Sequence, residues 1–545
     1  MKIVTVAQMR TIEAAADAAG HSYDTMMELA GQSVAQAIAA RREVAKRWVL
    51  VLVGPGNNGG DGLVAARYLV EAGAYVSCYL LRPRDPTVDR NFQRIQRLGV
   101  EIVMAGEDET SGWPRLRALA RTADVVVDAL LGTGSRSPLR GSVAAVLEIV
   151  RQALAESVRR RAERRVLLSP ASPPPPAEPA RPFWVAVDGP TGLDYDTGAL
   201  DPLAFRADLT VTFAHPKVGH FRFPGAGALG ELVVADIGCD PALAAESSLE
   251  MVTPAMVRAW LPPRPADAHK GTFGRALIVA GSSRYTGAAY LAGASATRAG
   301  AGLVTLALPV PILTAVVAHL AEATYILLES RDGGIAESAI PTVVEALTQY
   351  HALLLGPGLG QAKGTRAFVT GLLAQVGAEK RPTDHWVVDA DGLNVLAGLP
   401  GWPQRLPGVC VLTPHPGEMA RLMGGSIGDI QAERVSVAQR QARAWGHVVL
   451  LKGAYTVVAA PDGRTAIEPF ANPGLATAGS GDVLAGVVVA LLAQGVEPFE
   501  AAVAGAFLHG MAGELARREI GAAGMVAGDV LARLPRAWRA LDGPA

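Results

Sequence analysis

The feature that most constrains this chain is a recurrent alternation of short apolar runs, glycine turns and amphipathic stretches. Trp48–Val53 is a continuous apolar strand, followed by the glycine loop Gly54–Gly62 and a helix over Leu63–Ala72. Strand Tyr75–Leu81, helix Val88–Leu98, strand Glu101–Met104, helix Arg115–Ala120 and strand Val125–Ala129 come next. The series closes with strands at Phe183–Val187, Leu209–Phe213 and Leu232–Ala235, and helical Val6–Ala40, broken at Gly20-His21, precedes it. A second series runs through strand Ala276–Ala280, helix Ala288–Ala299 and strand Leu303–Leu308. It continues with strands at Ala352–Leu355, Trp386–Asp389, Val409–Leu412 and Val448–Leu451, then helix Val483–Ala493. Strands without polar alternation are buried on both faces, and helical crossovers force parallel pairing. Each series therefore predicts a parallel sheet covered by helices on both sides.

A chain of 545 residues exceeds one hydrophobic core, so two to four domains are expected. A Pro-rich, weakly periodic stretch near Pro241–Asp267 puts the boundary between Ile237 and Arg275. Ser142–Arg165 reads as a helix with a basic polar side. It leads into Ser169–Pro182, SPASPPPPAEPARP, which must be extended and marks an Arg/Pro-rich insertion at about 150–182. No run of eighteen apolar residues indicates a membrane span, and Met1–Arg10 lacks an export signal, so the expected location is cytoplasmic. Cys78, Cys239 and Cys410 are too scattered for a disulfide frame or zinc site and read as buried thiols. A net charge of −1 gives no electrostatic case for a nucleic-acid partner.

Gly54–Gly62 reads GPGNNGGDG, and Gly54, Gly56 and Gly59 satisfy the dinucleotide fingerprint between a strand and a helix. That signal is weak alone. A ribose-binding carboxylate belongs near the end of the next strand, where Leu80-Leu81-Arg82-Pro83 has none; Arg82 suits a 2′-phosphate, so an NADP oxidoreductase is one reading. Asn57, Asn58 and Asp61 carry more side-chain oxygen than a pyrophosphate turn needs and suit a hard cation or sugar hydroxyls. Two more polar loops follow strands, VDALLGTG at 127–134 and VDGPTGLD at 187–194. Parallel sheets gather their chemistry at the carboxyl edge. Asn58, Asp128 and Thr191 can meet there around one cation, leaving Asp188 as acid/base. Each Asp alone is equally a helix N-cap; three such loops together favour function.

In the second series, Ala471–Leu484 (ANPGLATAGSGDVL) places Gly479-Ser480-Gly481-Asp482 at a helix start. Free amides there seat phosphate oxygens, and glycine lets the anion approach. Asp482 beside that seat suits accepting a proton from an attacking hydroxyl, which describes phosphoryl transfer. The bland alternative is an acidic residue complementing a helix dipole. The segments GPGLG (356–360), DADGLN (389–394), LTPHPGE (412–418) and LKGAYT (451–456) each follow a strand. Alone, His415 reads as a satisfied histidine and Lys452 as a surface charge.

Together GPGNNGGDG, VDALLGTG, VDGPTGLD and AHPKVG (214–219) resemble NAD(P)H-hydrate epimerase across nearly all of residues 1–240. The resemblance implies that Asn57, Asn58, Gly59, Gly60 and Asp61 hold the hydrated nicotinamide nucleotide with Gly132, Thr133, Gly134, Ser135, Arg136, Ser137 and Pro138. It also implies potassium at Asn58, Asp128 and Thr191, and Asp188 at the reacting nucleotide. Thr191 stands where that family usually has Ser, Gly189 where it has Ile, and Leu29 where Asn is common; the insertion exceeds its usual length. The later segments with GSGD resemble the ribokinase-like superfamily, and within it NAD(P)H-hydrate dehydratase, over roughly 250–540. By that resemblance Lys452, Gly453, Ala454, Tyr455, Thr456 and Gly481 contact the adenine nucleotide. Ala288, Gly358, His415 and Asp482 face the hydrated nicotinamide, with Asp482 catalytic.

The expected fold is α/β, an N-terminal Rossmann-like three-layer domain joined to a C-terminal ribokinase-like three-layer domain. The expected limits are 1–240 for the epimerase, 241–270 for a linker and 271–545 for the dehydratase. Expected partners are hydrated NADH or NADPH and ADP or ATP with Mg2+, in a homo-oligomer. Two rival readings stay open: a small-alcohol kinase fused to an NADP-binding domain, and a nucleotide-sensing scaffold with decayed sites.

Overall fold

The computed structural model describes residues 1–163, 181–377 and 385–541; the Pro-rich heart of the expected insertion, 164–180, lies outside the described residues. The chain divides into two compact units, Lys2–Ser247 and Ser248–Ala545 with Met1.

In the first unit the strands are β1 (Trp48–Val53), β2 (Tyr75–Leu80), β3 (Glu101–Met104), β4 (Val125–Ala129), β5 (Phe183–Val187), β6 (Leu209–Phe213) and β7 (Glu231–Ala235). They form a parallel sheet in the order β3-β2-β1-β4-β5-β6-β7. The order reverses between β1 and β4, so the loops after these strands part and open a crevice at the carboxyl edge. Period two sorts each strand between two cores: Val49, Val51, Val53, Val127 and Val185 face one layer, and Leu50, Leu52, Val126, Trp184 and Ala186 the other. The amino-terminal helical region is two helices, Val6–Ala18 and Tyr23–Ala39, capped by Thr5 and Ser22.

One boundary differs from expectation in a way that matters for the site. The helix after β1 runs Asn57–Glu71, so Asn57–Gly62 is its opening and not a loop. Glycine-rich sequence argues against helix on propensity alone. Here close packing overrides propensity: a Cβ at Gly62 would lie 2.5 Å from that of Ala129, and one at Gly60 2.6 Å from Met27 Sδ. The segment between β3 and β4 also holds two short helices, Ala105–Thr110 and Pro114–Thr122, where one was expected.

The second unit is built on a ten-stranded sheet. Its order is Thr324–Leu328, Leu303–Pro309, Arg275–Val279, Ala352–Leu355, His385–Val388, Val411–Leu412, Val448–Leu451, Val457–Ala459, Thr465–Ile467, Leu249–Met251. Pairing is parallel except on both sides of Val457–Ala459. Four of these strands escaped the sequence reading. Thr324–Leu328 is a half-exposed edge, and Val457–Ile467 is a hairpin too short to show periodicity. The stretch 241–270, expected as a linker, holds Leu249–Met251, which pairs with Thr465–Ile467, and helix Pro254–Trp260. Helix Ser480–Ala493 begins three residues earlier than expected and is buried from Val483 onward, so it is apolar all round. Among the described residues no helix is long and apolar enough to cross a membrane. All three cysteines are buried, and none is in a disulfide.

Candidate active sites

In the first unit the carboxyl edge gathers a buried ion pair and a second buried carboxyl. Asp188 follows β5 with φ +64°, a left-handed turn that is uncommon for a residue bearing a Cβ. Its Oδ1 accepts hydrogen bonds from Lys217 Nζ at 2.6 Å and Thr212 Oγ1 at 2.7 Å, and Nζ also donates to Thr212 Oγ1 at 2.8 Å. Lys217 is only 2 % exposed. Burial opposes charge on Asp188, but the Lys217 ammonium and the hydrogen bonds from Lys217 and Thr212 hold its carboxyl below the ordinary value. Asp61, in the opening turns of helix Asn57–Glu71, goes the other way. Burial first, then the charges of Asp188 and Glu13, push it well above the usual carboxylate range. Burial pushes His220 down to about 3, so this ring is neutral; its Nδ1 accepts from Lys217 N at 3.2 Å. One carboxyl is pushed down and its neighbour up, the direction of separation expected of a base and an acid in one site.

Beside them lies a nest of oxygens. Asp128 is fully buried at the end of β4. Its Oδ1 accepts from Thr191 Oγ1 (2.7 Å) and Leu130 N (3.3 Å), and its Oδ2 from Thr191 N (2.9 Å). Only neutral donors offset the burial that raises its pKa. Thr191 Oγ1 accepts from Leu131 N at 3.1 Å, and a Cβ on the adjacent Gly132 would sit 3.1 Å from Asn58 Oδ1. The Asn58 amide nitrogen is buried without a hydrogen-bond partner among the described residues. A buried carboxylate lacking a cationic side chain, with a hydroxyl and a carboxamide oxygen nearby, fits a monovalent cation.

The remaining expected contacts are scattered. Asn57 is exposed at the helix start, whereas Gly59 and Gly60 are buried against Gly54 and Met27. Ser135 Oγ accepts from Gly192 N at 2.9 Å and Ser137 Oγ donates to Asp201 at 2.9 Å, so both hydroxyls already hold the loop. Gly134, Arg136 and Pro138 face solvent, and Thr133 is half-buried. The cation at the glycine turn is Arg84, donating to Gly54 O (2.7 Å) and Gly56 O (2.8 Å); Arg82 is exposed.

In the second unit Gly479, at φ +87°, caps helix Ser480–Ala493 without a side-chain hydrogen bond; Ser480 N donates to Thr477 O at 3.4 Å, and Gly481 and Asp482 follow half-buried in the first turn. Lys452 hangs beside that start: a Cβ on Gly481 would lie 3.3 Å from its Nζ. The ammonium donates to Asp389 Oδ1 at 2.6 Å and lies 3.8 Å from Glu418 Oε2. Thr413 Oγ1 steadies Asp389 at 2.8 Å. Burial first, then the Asp389 charge, push Asp482 up to about 7, against the pull of Lys452. His415 caps helix Pro416–Met423, its Nδ1 accepting from Gly417 N at 3.0 Å, and leaves its other face half-exposed beside Glu418. Gly358 and Ala288 meet, since a Cβ at 358 would lie 2.7 Å from that of Ala288. The loop 452–456 is pinned from below. Arg434 Nη2 donates to Leu451 O (2.9 Å) and Lys452 O (3.3 Å), and Tyr455 N donates to Phe470 O (2.8 Å). Thr456 Oγ1 closes on Gly453 O at 2.9 Å, leaving Gly453 and Ala454 exposed.

Two family models match these units: one described as the YjeF-related protein N-terminus over residues 23–219, the other as NAD(P)H-hydrate dehydratase over 276–536. The bifunctional NAD(P)H-hydrate repair enzyme of Moorella thermoacetica is 41% identical, over 95% of this chain and 92% of its own length. The chain belongs to that family. The Escherichia coli bifunctional NAD(P)H-hydrate repair enzyme is 34% identical, over 96% of this chain and 91% of its own. A crystallised ADP/ATP-dependent NAD(P)H-hydrate dehydratase from Bacillus subtilis, grown with ATP and Mg2+, is 33% identical with a TM-score of 0.46. It covers 54% of this chain and 98% of that one.

As a bifunctional NAD(P)H-hydrate repair enzyme, the chain holds groups that sequence reasoning did not single out. Lys217, Asp389 and Glu418 sit inside AHPKVG, DADGLN and LTPHPGE, so their motifs were visible while their roles as charge partners were not. Glu13, Thr212, His220 and Arg434 carry no local signal; only the fold brings them to the sites.

Proposed function

We propose that the first unit (1–240) interconverts the R and S forms of hydrated NADH or NADPH. The second (271–545), joined through 241–270, dehydrates the S form with ADP or ATP, giving NAD(P)H, phosphate and AMP or ADP. The observation that carries this reading is Asp482: a carboxyl raised to about 7, near Lys452 in the first turn of a helix that no side chain caps.

In the second site the hydrate carries a hydroxyl on C6 of the reduced ring, and hydroxide leaves poorly. Asp482 takes the hydroxyl proton while that oxygen attacks the terminal phosphoryl group; the bond to the leaving nucleotide breaks. Lys452 and the amide of Gly481 meet the charge on the transferred group. Phosphate then leaves C6, driven by the ring nitrogen lone pair, and loss of the C5 proton restores the dihydropyridine. Asp389 and Glu418 are the carboxylates placed to receive Mg2+ arriving with the nucleotide, which would neutralise phosphate charge there. Lys452–Thr456 and Gly481 hold the nucleotide; Ala288, Gly358 and His415 line the side open to the nicotinamide.

In the first site no nucleotide cosubstrate is needed. Protonated Asp61 gives its proton to the departing C6 oxygen, water leaves under push from the ring nitrogen, and C6 becomes planar. Water returning to the other face yields the opposite epimer, its proton going back to the Asp61 carboxylate. The Asp188 carboxylate, fixed by Lys217 and Thr212, stabilises the transient cation. Asn58, Asp128 and Thr191 would hold potassium, supplying a fixed positive charge. A cytoplasmic homo-oligomer completes the reading; the three buried free thiols favour a reducing compartment.

The deciding experiment incubates hydrated NADH with each nucleotide and reads inorganic phosphate together with the reduced-nicotinamide absorbance. Both should rise in equal amounts. A stable phosphoester without free phosphate would point instead to a small-alcohol kinase.

A further inference from the structure

Gly189 follows Asp188, and its own backbone gives no reason for glycine, because it lies outside the left-handed region where side chains are strained. What excludes a side chain there is Tyr195. A Cβ at 189 would lie 2.7 Å from Tyr195 Oη and 2.9 Å from both Cε1 and Cζ. The ring is 2 % exposed, and its hydroxyl is buried with no hydrogen-bond partner among the described residues. Shape, not a hydrogen bond, therefore sets its place.

The opposite side of Tyr195 abuts the segment that carries Lys217. The ring meets His220 edge-on at 5.5 Å between centroids, and Tyr195 O accepts from Gly219 N at 2.6 Å. A Cβ at Gly219 would come 2.7 Å from the Tyr195 carbonyl. Tyr195 thus fills the space between the turn bearing Asp188, at φ +64°, and the stretch bearing its buried partner Lys217, 2.6 Å away.

We propose that Tyr195 is a positioning residue of the first site: its ring stands in for the side chain absent at 189 and wedges the Asp188 turn against Lys217. Positions 189 and 195 then form one packing unit, in which a small residue at one requires a large residue at the other. The consequence for rate rests on the epimerase reading; the packing itself does not. Nothing in this account uses the phenol hydroxyl, which separates it from an acid/base role for Tyr195.

The test is a double-substitution cycle in the full-length chain: Gly189→Ile, Tyr195→Ala, and both together, with Tyr195→Phe alongside. Each single change misplaces Asp188, and a displacement of about 1 Å can lower turnover by roughly 10²-fold. The fall should appear in kcat for R/S interconversion, with the acid limb of the pH profile moving upward as Asp188 loses Lys217. The double variant exchanges volume between the two positions, a change cores tolerate, and should recover most of the turnover and the original pH limb. Tyr195→Phe should match the unaltered protein. Dehydration of the S hydrate with ADP should not change in any of them. Losses that simply add in the double variant overturn the proposal, as does a Tyr195→Phe loss as large as that of Tyr195→Ala. The melting transition of the first unit gives a second readout, lowered in each single variant and restored in the double. If the unaltered protein fails to interconvert epimers, the epimerase reading falls while the melts still decide the packing claim, additive drops counting against it.

Discussion

Both sites place glycine at a helix start, yet they present opposite things to a ligand. At Gly54–Asn57 the turn is occupied by the protein itself: the Arg84 guanidinium bonds Gly54 and Gly56 carbonyls, and the helix carries Asn58 and Asp61 inward to a buried ion pair. At Gly479–Asp482 no side chain caps the helix start, and Lys452, held by Asp389, lies beside Gly481. The comparison teaches that a glycine-rich helix start is a scaffold whose chemistry is set by the charges aimed at it. The first site holds its proton donor and its counter-ion permanently, which suits a reaction that returns every atom it takes. The second leaves room for a charged cosubstrate.

The sharpest way to break this contrast is at the two carboxylates. Asp482→Ala should lower dehydration by about 10²–10⁴-fold, the usual range for a general base, while R/S interconversion continues. Loss of both activities together would mean that the sites are not separable. Next in size is the buried pair. Lys217→Met strands the Asp188 charge in an apolar surrounding and should cost the first unit about 3–5 kcal/mol, seen as an earlier first transition in thermal or urea unfolding. The second unit's transition should stay in place.

The pH profiles sharpen the same contrast. Dehydration kcat/KM, which reports the free enzyme, should climb as pH rises through about 7, because Asp482 must lose its proton before it can accept one. Epimerisation should not share that rise: Asp188 is already ionised, since its carboxyl is held below the ordinary value, and loss of the Asp61 proton, whose release burial opposes, would lower the rate instead. A shared rise near 7 would contradict the assignment. The smallest effect expected is at the cation nest. Thr191→Val removes a hydroxyl bonded to the buried Asp128 carboxylate and should destabilise by about 1–3 kcal/mol, with a greater potassium requirement for epimerisation but not for dehydration.

Much of this was legible in the sequence because buried parallel strands leave continuous apolar runs. β1, β3, β4, β5 and β6 begin and end where the alternation placed them. Loops that follow such strands must share one edge, so Asn58, Asp128, Asp188 and Thr191 fell together without any distance in hand. What stayed hidden has physical causes. The helix over Asn57–Gly62 defied propensity because its glycines touch Ala129 and Met27, contacts made only by the folded chain. Strands Val457–Ala459 and Thr465–Ile467 were too short to show a period. Lys217 and Asp389 were not singled out in their motifs, and only tertiary placement pairs them with Asp188 and Lys452.

The most direct measurement starts from the R epimer of hydrated NADH alone, given with ADP or ATP to the full-length protein. The account predicts complete return of NADH with one phosphate released per molecule. With Asp188→Asn the R epimer should persist while added S epimer is still consumed. Conversion of R at an unchanged rate in Asp188→Asn, or no NADH from either epimer with either nucleotide, would contradict the division of labour argued above.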